Sequence, residues 1–70
     1  MMPLGLAQPG DTNIIRKITG NDETRQHLAN LGFVTGEKVT VITALGGNLI
    51  LSVKDSRVAL DRAMTMRIMV

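Results

Sequence analysis

The amino-acid sequence predicts a small, mostly-β domain in which five short strands curl around one thin core, with a single helix inserted between the first two. Three observations predict it. Apolar residues alternate with polar ones at a period of two in several short runs. Gly, Pro and Asn punctuate those runs densely, as tight turns require. One stretch only carries the start and stop signals of a helix.

The elements follow in chain order. Pro9-Gly10-Asp11 is a turn, because Pro presets φ and Gly10 supplies a positive one. Ile14, Arg16 and Ile18 then alternate with Ile15 and Lys17, a β-branched strand ending at Thr19-Gly20. Asn21 or Asp22 caps a helix over residues 22–31, and Asp22 and Glu23 suit its positive end. Leu28 and Leu31 share one face of it, and Gly32 is its left-handed stop. So short a helix does not persist alone and must pack on the sheet.

Gly36 opens a second strand, with Val39, Val41, Thr43 and Leu45 on one face and Lys38, Thr40, Ile42 and Ala44 on the other. Gly46-Gly47-Asn48 is a tight hairpin turn. The return strand points Leu49, Leu51 and Val53 inward. Asp55-Ser56 makes a second short turn before Val58 and Leu60. Asp61 to Met64 breaks the alternation as one helical or 3₁₀ turn, and Met66, Ile68 and Val70 form the last strand. An open flat sheet of these strands would expose two apolar edges, so a small, partly closed, SH3-like barrel is expected.

Length and composition bound the function. Seventy residues make one domain, spanning 1–70. A chain of this size buries only about 60% of its unfolded surface, which leaves no layer for a deep pocket. The absence of cysteine removes disulfides, thiolate metal sites and a thiol nucleophile. Eight Lys and Arg against six Asp and Glu give a net charge of +2, and the cations are scattered except Arg16-Lys17. No polybasic run for nucleic acid appears. No stretch approaches the roughly 20 apolar residues that span a bilayer, and the start lacks a signal-peptide pattern. A cytoplasmic protein is expected, held at the membrane's inner face, if at all, by a partner.

Candidate chemistry is sparse. His27 is the single histidine, with Glu23 four residues before it on the same helix face; two ligands fall short of a metal site. The six acids all fall at turns or element ends, where capping explains them. Neither Ser52 nor Ser56 has a Gly-rich elbow around it. The expectation is no catalytic residue, no metal and no cofactor. Phe33 is the one aromatic, so neither an aromatic groove for Pro-rich peptides nor a stacking platform for single-stranded nucleic acid can be built. Phe33 is either core or a plug over the barrel end. What remains is docking through aliphatic and methionine side chains. Ile42, Ile50 and Met69 are expected to face outward, and a patch formed by them would mark a contact surface.

The run Arg25-x-x-Leu28-x-x-Leu31-Gly32-Phe33-x-x-Gly36-x-x-Val39-x-Val41, then Gly47-Asn48-x-Ile50, Ala59-Leu60 and Ile68-x-Val70, resembles the FeoA family. Pro9-Gly10 and the Ile-rich strand ending at Gly20 match as well, so the resemblance covers nearly the whole chain. It implies an SH3-like barrel with an inserted helix. It also implies a small cytosolic accessory of bacterial ferrous iron uptake whose partner is the GTP-dependent membrane transporter FeoB. The family brings no established catalytic residues to carry over. Gly10, Gly20, Gly32, Gly36 and Gly47 fall at turns. Thr35, Asp61 and Thr65 depart from the Pro, the basic residue and the Ala common in the family. The docking surface expected is the helix region with outer apolar residues: Arg25, Leu28, Phe33 and Met69. Two other classes share such a barrel: the interaction domain of iron-dependent repressors, and RNA-binding SH3-like domains. The absence of a DNA-binding helix pair argues against the first, and the mild charge and missing aromatics argue against the second.

Overall fold

The computed structural model describes residues 1–70. A single 3₁₀ turn, Leu4–Leu6, precedes β1 (Thr12–Ile14), β2 (Lys17–Ile18), α1 (Asp22–Asn30), β3 (Lys38–Leu45), β4 (Asn48–Val53), β5 (Ser56–Leu60), α2 (Arg62–Thr65) and β6 (Ile68–Met69). The strands form a four-stranded antiparallel sheet in the order β1-β3-β4-β5 and a two-stranded sheet of β2 and β6. The two sheets pack around one core of 13 buried apolar residues without closing into a continuous barrel. The mostly-β reading with an inserted helix is the observed architecture.

The first predicted strand is two strands. β1 ends at Ile14 and β2 starts at Lys17, and they belong to different sheets. Between them the backbone changes partners. Ile15 N–H donates to the Glu37 carbonyl (2.9 Å), and Arg16 N–H donates to the Met69 carbonyl (2.8 Å). The corner has a packing cause. A straight strand would put Arg16 on the face of Ile14 and Ile18. The bend instead sinks Ile15, 1% exposed, into the core, leaving Arg16 and Lys17 in solvent.

The second correction is a β-bulge. Val39 and Val41 face Val53 and Leu51, but Thr43 faces Ile50, with the register shifting between Val41 and Thr43. Ile42 is the extra residue, and one extra residue moves everything beyond it to the other face. Val39 and Val41 are therefore buried as predicted, whereas Thr43 and Leu45 point outward, Leu45 at 72% exposure. β4 has no bulge, and Leu49, Leu51 and Val53 line the core as predicted.

The predicted helix forms one residue shorter. Asn21, not Asp22, is its cap, its side chain accepting from Thr24 N–H at 2.8 Å. At the other end Gly32 N–H donates to the Ala29 carbonyl and Phe33 N–H to the Leu28 carbonyl, both at 3.0 Å. With Gly32 at φ 105° this is a Schellman stop, whose usual companion is an apolar contact between the residues in the Leu28 and Phe33 positions. Both are wholly buried members of the core.

The second predicted turn sits one residue earlier than expected. Lys54 and Asp55 take φ of 48° and 63°, and Ser56 already pairs with Val53. The single helical turn after Leu60 is α2, capped by Asp61, whose Oδ1 accepts from Met64 N–H at 3.0 Å. Asp61 therefore has a local structural role at the position where the family resemblance leads one to expect a base.

Candidate interaction surface

No constellation for covalent or acid–base chemistry is assembled. Asp11 accepts from Gln8 N–H (2.9 Å), Asp22 pairs with Arg25 (2.6 Å), Glu37 lies 3.8 Å from Lys54, and Asp61 caps α2. No three His, Cys, Asp or Glu side chains gather where a metal ion could be held. His27, Glu23, Thr24, Asn21 and Met64 line one hollow, and Asp22, Arg25, Gln26 and Ala29 line a second. Both are shallow and open, each has one apolar wall residue, and neither encloses a small molecule as a ligand site does.

The four expected docking residues separate. Leu28 and Phe33 are 0% exposed, so no partner touches them in this conformation. The Schellman stop accounts for this, since it folds the chain after α1 back so that both side chains enter the core. Arg25 is exposed on α1, and Met69 is half-buried in the two-stranded sheet. Nor do Ile42, Ile50 and Met69 form one patch within a sheet, because Ile42 and Ile50 belong to β3 and β4 and Met69 to β6.

Other apolar residues are more exposed. Met1, Leu6, Ile14 and Leu45 show between 45% and 78% of their surface. Ile14 and Leu45 lie on the outer face of the four-stranded sheet, opposite Lys38 and Asn48 respectively. Between these rows runs a polar one: Thr12, Thr40, Ser52 and Arg57 occupy successive strands in register, and the two threonine hydroxyls are 2.9 Å apart. That outer face is divided, not a continuous apolar patch. Leu45 was not legible as an outward residue because nothing in the local pattern marks the bulge.

Fold and surface together define the class: a small two-sheet β domain with one inserted helix and two shallow surface hollows. A family model described as the FeoA domain matches residues 2–70. Over 70 residues, all of this chain and 85% of the relative, the sequence is 37% identical to the putative Fe(2+) transport protein A of Methanocaldococcus jannaschii. The fold superposes on a crystal structure of the iron uptake regulatory protein FeoA with a TM-score of 0.89 at 31% identity, covering 96% of this chain and 89% of that one. It also matches FeoA of Stenotrophomonas maltophilia, crystallised with zinc and described as a prokaryotic SH3 domain protein possibly acting as a ferrous iron transport activating factor. That match has a TM-score of 0.83 at 27% identity and covers 99% of this chain and 88% of that one. The chain belongs to the FeoA family, and its fold is of the SH3-like kind. No helix in it is long and apolar enough to cross a membrane.

Proposed function

We propose that this protein is a non-enzymatic, cytoplasmic accessory of ferrous iron uptake that docks onto the cytoplasmic part of the GTP-dependent transporter FeoB. The observation that carries the reading is the FeoA-domain match across residues 2–70, in a chain where Asp11, Asp61, Asp22 and Glu37 are taken up by a turn, a helix cap and two surface ion pairs. The exposed face of α1 with Arg25, and Met69 on β6, are the contact residues retained from the sequence. Leu28 and Phe33 support docking by fixing α1 and the segment after it on the sheet.

The test is a pull-down of the transporter's cytoplasmic domain with Arg25→Ala and Met69→Ala variants, paired with ferrous iron uptake in a strain lacking this protein. Weaker capture at unchanged thermal stability supports the reading. Full uptake at limiting ferrous iron without the protein, in a strain that depends on this transporter, sinks it.

A further inference from the structure

We infer that the free edge of β5 is a pairing site for a second copy of this chain, the two β5 strands running antiparallel about a two-fold axis at Ala59. β5 is the outermost strand of the four-stranded sheet and is bonded to β4 alone. Of the strands with a free side it is the longest, five residues against three in β1 and two in β2. The outer side of β6 is taken by Pro3. β5 carries no proline, glycine or bulge, the devices that keep strand edges from pairing.

The hairpin fixes which backbone groups are free. Lys54 and Asp55 are both left-handed, which makes a type I′ turn, so Val53 and Ser56 exchange both backbone bonds. Bonding then alternates along the strand. Ser56, Val58 and Leu60 bond to β4, while the N–H and C=O of Arg57 and Ala59 point off the sheet. Asp61 continues the extended course at φ −77° and ψ 171°, and its N–H has no backbone acceptor. Neither Arg57 nor Asp61 is in an ion pair, since the salt bridges join Arg25 to Asp22 and Lys54 to Glu37. Asp61 Oδ1 caps α2, which leaves its other carboxylate oxygen free.

Charge chooses both the register and the occupant. A two-fold at Ala59 sets Arg57 of each copy opposite Asp61 of the other, so each unpaired charge meets its opposite. A two-fold at Val58 would set Asp55 against Asp61, and one at Arg57 would set the two arginines against each other; like charges directly opposed disfavour both. At Ala59 only small side chains meet on the axis, and the outer row Thr43, Ile50, Ala59 runs on into its copy. The axis admits reciprocal N–H to C=O bonds between the two Ala59 residues, and one from each Asp61 N–H to the Arg57 carbonyl opposite. The Asp61 carbonyl is not called on, because it already accepts from Met64 and Thr65 N–H. An unrelated strand could use the same backbone groups, but the second copy carries the answering acid and base at the matching spacing.

A strand edge alone is smaller than the surface a stable complex buries, so the association is weak and concentration-dependent. It needs no transporter, and the protein by itself tests it. Sedimentation equilibrium of the full chain should show the mean mass rising above 7.6 kDa as concentration approaches about 1 mM. Over the same dilution series, amide NMR should show Ala59 and Asp61 shifting together while Thr12 and Ile14, on the opposite edge, stay still. Arg57→Glu should weaken association about tenfold, since like charge replaces unlike at both ends of the contact. Lys38→Glu, the same charge change on the same sheet, should alter it by less than about twofold. Ala59→Pro, which lacks the N–H at the axis, should abolish it. Should Ala59→Pro fail to fold, Asp61→Asn keeps the cap on α2 and should still weaken association measurably. A mass fixed at 7.6 kDa throughout overturns the inference. So does association that Arg57→Glu and Lys38→Glu weaken equally, which reports net charge alone, and so does association whose amide shifts leave Ala59 and Asp61 untouched.

Discussion

Replacing Gly5 by alanine should destabilise the protein through a contact between its first and last segments. Gly5 sits in the 3₁₀ turn before the sheets, which packs on α2 and β6. A Cβ there would lie 2.8 Å from Met66 Sδ and 2.8 Å from Thr65 Oγ1, where ordinary contact begins near 3.4 Å. Met66 is half-buried and its thioether can swing aside. Thr65 is 1% exposed, β-branched, and tied through its hydroxyl to the Arg62 carbonyl at 3.3 Å. The displacement therefore falls on α2, and overpacking of this kind costs about 1–3 kcal/mol. In a domain of this size each kcal/mol lowers Tm by roughly 4–8 °C. Gly5 is not in the positive-φ region, so nothing else opposes alanine; freed of the contact, the substitution would stabilise by about 0.4–1 kcal/mol. The two expectations have opposite signs. Urea denaturation of Gly5→Ala, Thr65→Ala and the double variant decides between them. The double variant should recover about 1 kcal/mol relative to the sum of the singles. A Gly5→Ala protein as stable as the parent, or strictly additive energies, would refute the reasoning.

Three further outcomes are expected from equilibrium unfolding. Asp55→Gly should raise stability by about 1 kcal/mol, because a left-handed φ of 63° is costly for a side chain and free for glycine; a fall would show that the Asp55 side chain holds the turn. Asn21→Ala and Asp61→Ala should each cost about 1 kcal/mol by freeing the N–H groups of Thr24 and Met64, and the corresponding glycine variants should cost less. Phe33→Ala should cost about 3–5 kcal/mol and Leu28→Ala about 2–5, whereas Arg25→Ala, an exposed residue, should stay within about 0.5. A loss of transporter binding in Phe33→Ala without loss of stability would put that side chain at the interface after all.

What the chain could show by itself is the part governed by neighbours in sequence. A helix cap needs Asn21 and a backbone three residues on, and a left-handed stop needs Gly32. A tight hairpin needs Gly46-Gly47, and β4 needs alternation at Leu49, Leu51 and Val53. The predicted turn glycines, Gly10, Gly20, Gly32, Gly36 and Gly47, all take φ between 86° and 113°. The same local logic rules out thiol chemistry and aromatic grooves, which depend on composition alone. It also carries the family resemblance, because the spacing of glycines and leucines is written in the sequence.

Only the tertiary structure decided where faces change. The corner at Ile15 and the bulge at Ile42 each alter which side of a sheet the following residues occupy, and both arise from pairing with strands far away in the chain. A period of two read from sequence carries no information about a partner's register, so Leu45 looked inward and Ile14 to Ile18 looked like one strand. Burial of Leu28 and Phe33 likewise follows from how the chain folds back after α1, not from their being apolar.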